Sequence, residues 1–431
     1  MSPNVLFLMM AQKMTRTGKI FLIVLFSIAI VAYLIKCAIG GGDFRVFLEA
    51  SALFGDKKAL YNVWLPAGDG GACLYYYSPM FAFLLLPFSN LPFAVPVFLW
   101  LVLNIFLLYR ISVLVISYLE VTNSKEKYLV FFFSLLLTIR FVEYNTGMSQ
   151  MTIYLLWSIL ESLRLFEKEK NIAGGFILGL AINIKILPIV FLPYLIYRGK
   201  WKAFLCSIIF IGAFLFLPAL YLGWEFNLQL LRDWWAVINP SNSEHLQETD
   251  LNMHSLTALI PSLLHESAGD LPLKRNVVNL NIDSAVLMLN IIRAALILFT
   301  IYFLRTLPFR KTKSSMHQLW EISYIALIIP LIFPHQPKYS GLLILPAVMY
   351  LFAYLIKAYS KGKSGETFHK KIVLFLIVLS FALITLTSDG IIGRDLNRIS
   401  QHYKTITYGY LIVGIALALS KPGNKTGELQ G

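Results

Sequence analysis

Three glycines and an aspartate, Gly40 to Asp43, directly follow the first long apolar run of the chain. A carboxylate at the mouth of a membrane helix, flanked by glycines, can approach a substrate lying at the bilayer surface, and polar groups are costly to keep so near a membrane. Asp43 can equally cap the helix after it, because aspartate is a common N-cap residue and Gly-Gly-Gly-Asp reads as linker plus cap. Lys185, in the run 179–188 (GLAINIKILP), is a lone cation at the break of an apolar hairpin, far from the basic loops. It can snorkel to the interface, or neutralise a phosphate if the hairpin tip lies at the outer face. His335 and Lys338 form a polar turn with Tyr339 between two apolar stretches, and His254 lies in a long polar segment. The aromatic run Tyr61 to Pro79, with Tyr76 and Tyr77, suits a sugar ring or the membrane boundary equally well. Asn145 to Gln150 is an uncharged hydrogen-bonding turn for which helix capping is the simpler account.

An aspartate, a lysine, a histidine and several aromatics on one face, fed by a bilayer, suit transfer from a lipid-linked phosphate donor. Such a donor is already activated, so the protein needs a base for the acceptor hydroxyl and cations for the departing phosphate. No HxxxH, HExxH or paired His/Cys spacing supports a metal site, so no metal or other cofactor is expected. No Walker A, GxGxxG or DxD motif supports nucleotide chemistry.

The elements that must position these residues are membrane helices. Of 431 residues 58% are hydrophobic and 14% charged, against roughly 45–50% and 25% in soluble domains. A chain this apolar needs a bilayer. The excess of Lys and Arg, 37 against 23 acids and a net charge of +14, sits between apolar runs as a positive-inside pattern and not as a nucleic-acid stripe. A span takes about 20 mostly apolar residues. Ten stretches qualify: 19–39, 93–118, 127–142, 147–166, 201–222, 285–306, 317–333, 338–357, 370–388 and 403–420. The stretch 172–197 reads as two short helices meeting near Lys185, which gives about twelve crossings with an uncleaved first helix. Residues 78–90 are short and are preferred as a re-entrant piece.

Basic clusters at Lys125/Lys127, Arg164/Lys168/Lys170, Arg198/Lys200/Lys202, Arg305/Arg310/Lys311/Lys313, Lys357/Lys361/Lys363/Lys370/Lys371 and Lys421/Lys425 then face the cytoplasm. That leaves 40–77, 141–146, 223–284, 334–337 and 389–402 outside. The first outer loop carries an amphipathic run, Asp43 to Gly55, suited to a helix on the membrane surface. The large loop 223–284 holds Trp224, Trp234 and Trp235, which an interfacial belt explains. Cys37, Cys73 and Cys206 read as unpaired thiols.

The order of motifs resembles glycosyltransferase family 87. The carriers are D-F-x-x-F-x-x-A-x-x-L-x-G (Asp43–Gly55), A-L-Y (Ala59–Tyr61), Y-Y-S-P-M-F (Tyr76–Phe81) and the G-x-x-Q turn Gly147–Gln150. They continue with Ala173–Pro188, N-x-x-S-L (Asn252–Leu256) and H-x-x-x-Y before L-L-x-L-P-A (His335–Ala347). The turn that usually reads G-Q-x-N is Gly147-Met148-Ser149-Gln150 here, and the second outer motif is Asn252-Met253-His254.

The resemblance implies one all-α polytopic membrane domain of the GT-C fold over residues 1–431, with about twelve transmembrane helices and amphipathic outer-face helices. It implies transfer of a hexose, with mannose expected, from polyprenyl phosphate to a glycolipid or glycan acceptor, with inversion. By the same resemblance Asp43 is the general base, and Lys185, His335 and Lys338 contact the donor phosphate. Tyr76, Tyr77, Gln150, Asn252, His254 and Tyr339 fall to the substrates. The expected setting is the outer face of a bacterial inner membrane. A transporter or lipid flippase is the competing class, and ionisable groups forming a relay inside the spans would favour it.

Overall fold

The computed structural model describes residues 16–121, 123–239, 248, 250–267, 269–304, 308–309, 314–360 and 367–422. Arg305, Arg310, Lys311, Lys313, Lys361, Lys363 and Lys425, counted above among the basic flanks, lie outside the described residues. The described residues are helical almost throughout and hold one two-stranded hairpin, Leu65–Pro66 against Ala72–Cys73, inside the loop 40–77 read as outward. Helices cover the described parts of all ten expected stretches.

Among the described residues seven helices are long and apolar enough to cross a membrane, from Ile20–Gly40 to Lys338–Tyr359. Others of the expected twelve are shorter, such as Asn171–Ile184 at 14 residues and Thr405–Leu419 at 15. At 1.5 Å per residue these fall short of a hydrocarbon core about 30 Å thick. The long helices Arg16–Gly40 and Ile282–Leu304 carry rows of exposed Ile, Leu, Val and Phe, surface that only lipid covers. Ser315–Ile332 and Leu345–Ser360 are buried and form the centre of the bundle.

Side-chain chemistry divides the molecule into two ends. At one end Glu161 bridges Arg110, at 3.3 Å, and Arg164. Lys200 and Gln318 both reach Glu167 at 2.9 Å, and Lys357 reaches Glu120 at 2.7 Å. Glu321 there is fully buried but takes Arg198, the Tyr194 hydroxyl at 3.0 Å and His317 at 3.1 Å, so its charge is matched, as a buried carboxylate requires. These are the flanks read as basic loops. At the opposite end gather the connections read as outward. Gly68 N donates to Gly42 O at 2.9 Å, His254 N to Gln336 O at 2.9 Å and Lys404 Nζ to Asp250 O at 2.6 Å.

The short piece after Tyr77 turns back on itself. It comprises Pro79–Leu85 and a 3-10 turn, Leu86–Phe88. Tyr77, at its start, bonds Gln150, and Phe93, at its end, lies 5.2 Å beneath the Arg45 guanidinium two residues after Asp43. Both ends therefore meet the polar-turn end, as a re-entrant segment does. The next helix, Ala94–Tyr118, then carries Arg110 to the basic end. Proline at the start of each short helix and ten residues in all leave no length for a crossing.

The amphipathic helix Phe44–Gly55 rests on this piece and not on lipid alone. Phe47 packs edge-on against Tyr77 at 4.5 Å and against Phe81 at 5.3 Å. Ser51 Oγ donates to Ala82 O at 2.8 Å. The cysteines are free thiols.

Candidate active site

The Asp43 position is fixed by backbone contact before its side chain does anything. Gly42 is left-handed, φ +51°, and a Cβ there would stand 2.6 Å from the Met148 carbonyl carbon. That approach lets Asp43 N donate to Met148 O at 3.0 Å. Gly68 closes the other side, since a Cβ on it would fall 2.5 Å from Gly40 O. Gly42, read as part of a linker, forms with Gly68 a clasp joining the loop 40–77 to the turn Gly147–Gln150. Gly42→Ala combines the wrong φ with a backbone clash. We expect it to lower thermal stability by several degrees and transfer by roughly tenfold or more, measured on detergent-purified protein.

Asp43 stands at the N-terminus of Phe44–Gly55 with αR backbone and makes no capping hydrogen bond. The capping account therefore fails for its side chain. Gln150 Nε2 donates to Asp43 Oδ2 instead. Gln150 is itself buried and set from both sides. Its backbone N–H reaches Asn145 O at 2.8 Å, and its Oε1 accepts the Tyr77 hydroxyl at 3.2 Å. Asn145 in turn donates to Tyr339 O at 2.9 Å. The uncharged turn thus links three outer connections, a job that capping alone does not require.

Lys185 follows the last residue of Asn171–Ile184 with extended backbone, because Pro188 two residues past Ile186 prevents the helix from continuing. Its Nζ lies 5.4 Å from the Tyr77 ring and 5.4 Å from the Tyr339 ring, within cation–π range. It does not snorkel away. Burial pulls its ammonium down to about 8, while the Asp43 charge acts the other way. Asp43, Tyr77, Gln150, Lys185 and Tyr339 line one cavity of about 620 Å³.

His335 lines the same cavity from a left-handed turn, φ +50°. Its ring lies 5.4 Å from that of Tyr76, whose carbonyl accepts the Trp234 indole N–H at 3.2 Å. The carboxylates of Asp43, Glu248 and Asp250, a lysine, a histidine and aromatic faces thus share one concavity at the end opposite the basic flanks. A sequence model of glycosyltransferase family 87 matches residues 75–334, more than half of the chain. The chain belongs to glycosyltransferase family 87. It is a multi-pass membrane glycosyltransferase. None of the curated proteins and none of the solved structures compared with it matches.

In this glycosyltransferase the matched stretch holds Tyr76, Tyr77, Gln150, Lys185, Asn252 and His254. Asp43, His335, Lys338 and Tyr339 lie outside it, and their case rests on geometry. Two expected site residues are placed behind the cavity wall. His254 is fully buried and does not line the cavity, and neither ring nitrogen has a hydrogen-bond partner among the described residues. Burial holds its pKa well below the usual range. The reason is local: Met253 pairs with Pro337 in an isolated bridge and faces the cavity, so the next side chain points away. Lys338 is buried behind Tyr144, with Nζ 3.4 Å from the hydroxyl and 4.7 Å from the ring centre. Tyr144, not Lys338, meets the cavity, and its hydroxyl lies 3.4 Å from Asn252 Oδ1.

The transferase also places residues at the cavity that sequence reasoning missed. Glu248 joins His335, and Trp234 and Trp235 form part of the wall. Trp224 and Trp235 are exposed as a membrane belt requires, but Trp234 is buried at the site. Glu248 stood in a polar stretch with no spacing to mark it. Among the described residues no group of three His, Cys, Asp or Glu is placed to hold a metal ion. A second concavity, about 1030 Å³, lies between Asn171–Ile184 and Trp201–Phe216, and its walls, Phe176 and Phe210 among them, are largely apolar.

Proposed function

We propose that this glycosyltransferase moves a hexose, mannose first among the candidates, from a polyprenyl phosphate to an acceptor hydroxyl. The reaction takes place on the outer face of a bacterial inner membrane. The observation that carries this reading is Asp43, held by Gln150, which Tyr77 holds in turn, sharing a cavity with Lys185 at the end away from the basic flanks. Asp43 accepts the proton as the acceptor oxygen bonds to the anomeric carbon. The bond from that carbon to the phosphate oxygen breaks on the opposite side, the configuration inverts, and polyprenyl phosphate leaves as a monoester dianion. Lys185 and His335 offset its charge. Tyr76, Trp234 and Trp235 offer ring faces to a sugar.

Gln150 orients the base and does not itself react. Gln150→Ala is expected to lower kcat about tenfold with donor KM little changed, and Gln150→Glu to lower it further by setting a second carboxylate against Asp43. Steady-state kinetics on both variants checks this.

The test of the reading is to reconstitute the protein in proteoliposomes with labelled polyprenyl-phosphate mannose and a membrane lipid extract, then identify products by mass spectrometry. A new mannosylated product with release of polyprenyl phosphate is expected. Movement of the donor across the bilayer with no new glycosidic bond would support the flippase class instead. The buried Arg198–Glu321–His317 group lies at the basic end, without a described relay to the cavity, and gives that class no help.

A further inference from the structure

His335 adopts a backbone conformation that a non-glycine residue holds only when its surroundings require it. Glu248 supplies two such contacts. Glu248 Oε1 accepts the His335 backbone N–H and lies 3.2 Å from its ring Nδ1. The other oxygen, Oε2, accepts the Ser255 hydroxyl at 2.9 Å. Ser255 Oγ also accepts Ala258 N at 3.3 Å, capping the helix Leu256–Leu264. The Glu248 carboxylate is thus anchored to a helix start on one side and grips both the backbone and the ring of His335 on the other. The opposite face of the imidazole is set by Tyr76.

We infer that Glu248 is the positioning residue for His335, fixing the imidazole toward the donor phosphate. The inference rests on the proposed donor reading and extends it to a residue outside the first reading of the site. The charged groups facing Glu248 are His335 itself, Lys404 before the last helix and Arg293 on Ile282–Leu304. Burial pushes the Glu248 carboxyl up to about 7, against the bonds from His335 and Ser255 and the charges of Lys404 and Arg293. The carboxylate is therefore ionised above about pH 7 and neutral below it. The grip on His335 weakens as pH falls through that value.

The test is a double-mutant cycle with Glu248→Gln and His335→Gln, reading donor KM and kcat for polyprenyl-phosphate mannose. Glutamine retains a carbonyl acceptor for the His335 N–H, so a melting temperature near wild type is expected. Glu248→Gln alone should raise donor KM roughly tenfold with kcat within about threefold. In the His335→Gln background the same change should do almost nothing. Ser255→Ala frees the far oxygen without touching His335, and should give a smaller rise in KM that also vanishes in that background. Additive effects in an active enzyme would overturn the inference alone. A wild type that consumes no polyprenyl-phosphate mannose would overturn the donor reading and this inference with it.

Discussion

Asp43→Asn should reduce transfer by about a thousandfold or more, because a positioned general base contributes roughly 10²–10⁴ to rate. Asparagine keeps the size of the side chain and an oxygen for the Gln150 amide, so the clasp at Gly42 and Gly68 is undisturbed. Yield, melting temperature and donor binding should therefore match wild type while kcat collapses. That combination separates a base from a structural cap, which Asp43 is not. A variant that lost stability in step with activity would return Asp43 to a structural role.

The second large effect belongs to Lys185. Its ammonium lies between two tyrosine rings in a cavity where water competes poorly, so its charge is worth more to a departing phosphate than in bulk solvent. Lys185→Met should lower kcat about a hundredfold with a smaller change in donor KM. The pH dependence has a definite sign. With its ammonium pulled down to about 8, Lys185 is charged below that value and loses its proton as pH rises through it, so wild-type activity should fall above about pH 8. Lys185→Arg keeps the charge at every accessible pH. Its activity, lower in absolute terms because the planar group fits the slot less well, should stay level to about pH 9.5. A wild-type profile flat across that range would remove Lys185 from the phosphate.

Much of the architecture could be read from hydropathy and charge. Spans with basic flanks on alternate connections predict two chemically distinct ends, and the ion pairs of Glu120, Glu161, Glu167 and Glu321 with those flanks gather at one of them. The break at Lys185 was legible because proline and a lone cation interrupt an apolar run, and the re-entrant piece because 78–90 is too short to cross. Asp43 was legible as a residue, but its partner was not. Gln150 lies 107 positions away, and no local pattern announces a bond between two loops. The same distance problem hid Glu248, which meets His335 87 positions on. His254 and Lys338 misled for the opposite reason. Polar residues in outer turns look available, and only the Met253–Pro337 bridge and the Tyr144 ring reveal which side chains face inward.

The most direct measurement is a single-turnover assay with wild-type and Asp43→Asn protein in matched proteoliposomes, each saturated with labelled polyprenyl-phosphate mannose and acceptor lipid. Bound donor and released polyprenyl phosphate are counted in the same samples. The account predicts equal donor binding, release by wild type, and release by the variant slower by about three orders of magnitude. Equal release by the two proteins would contradict it.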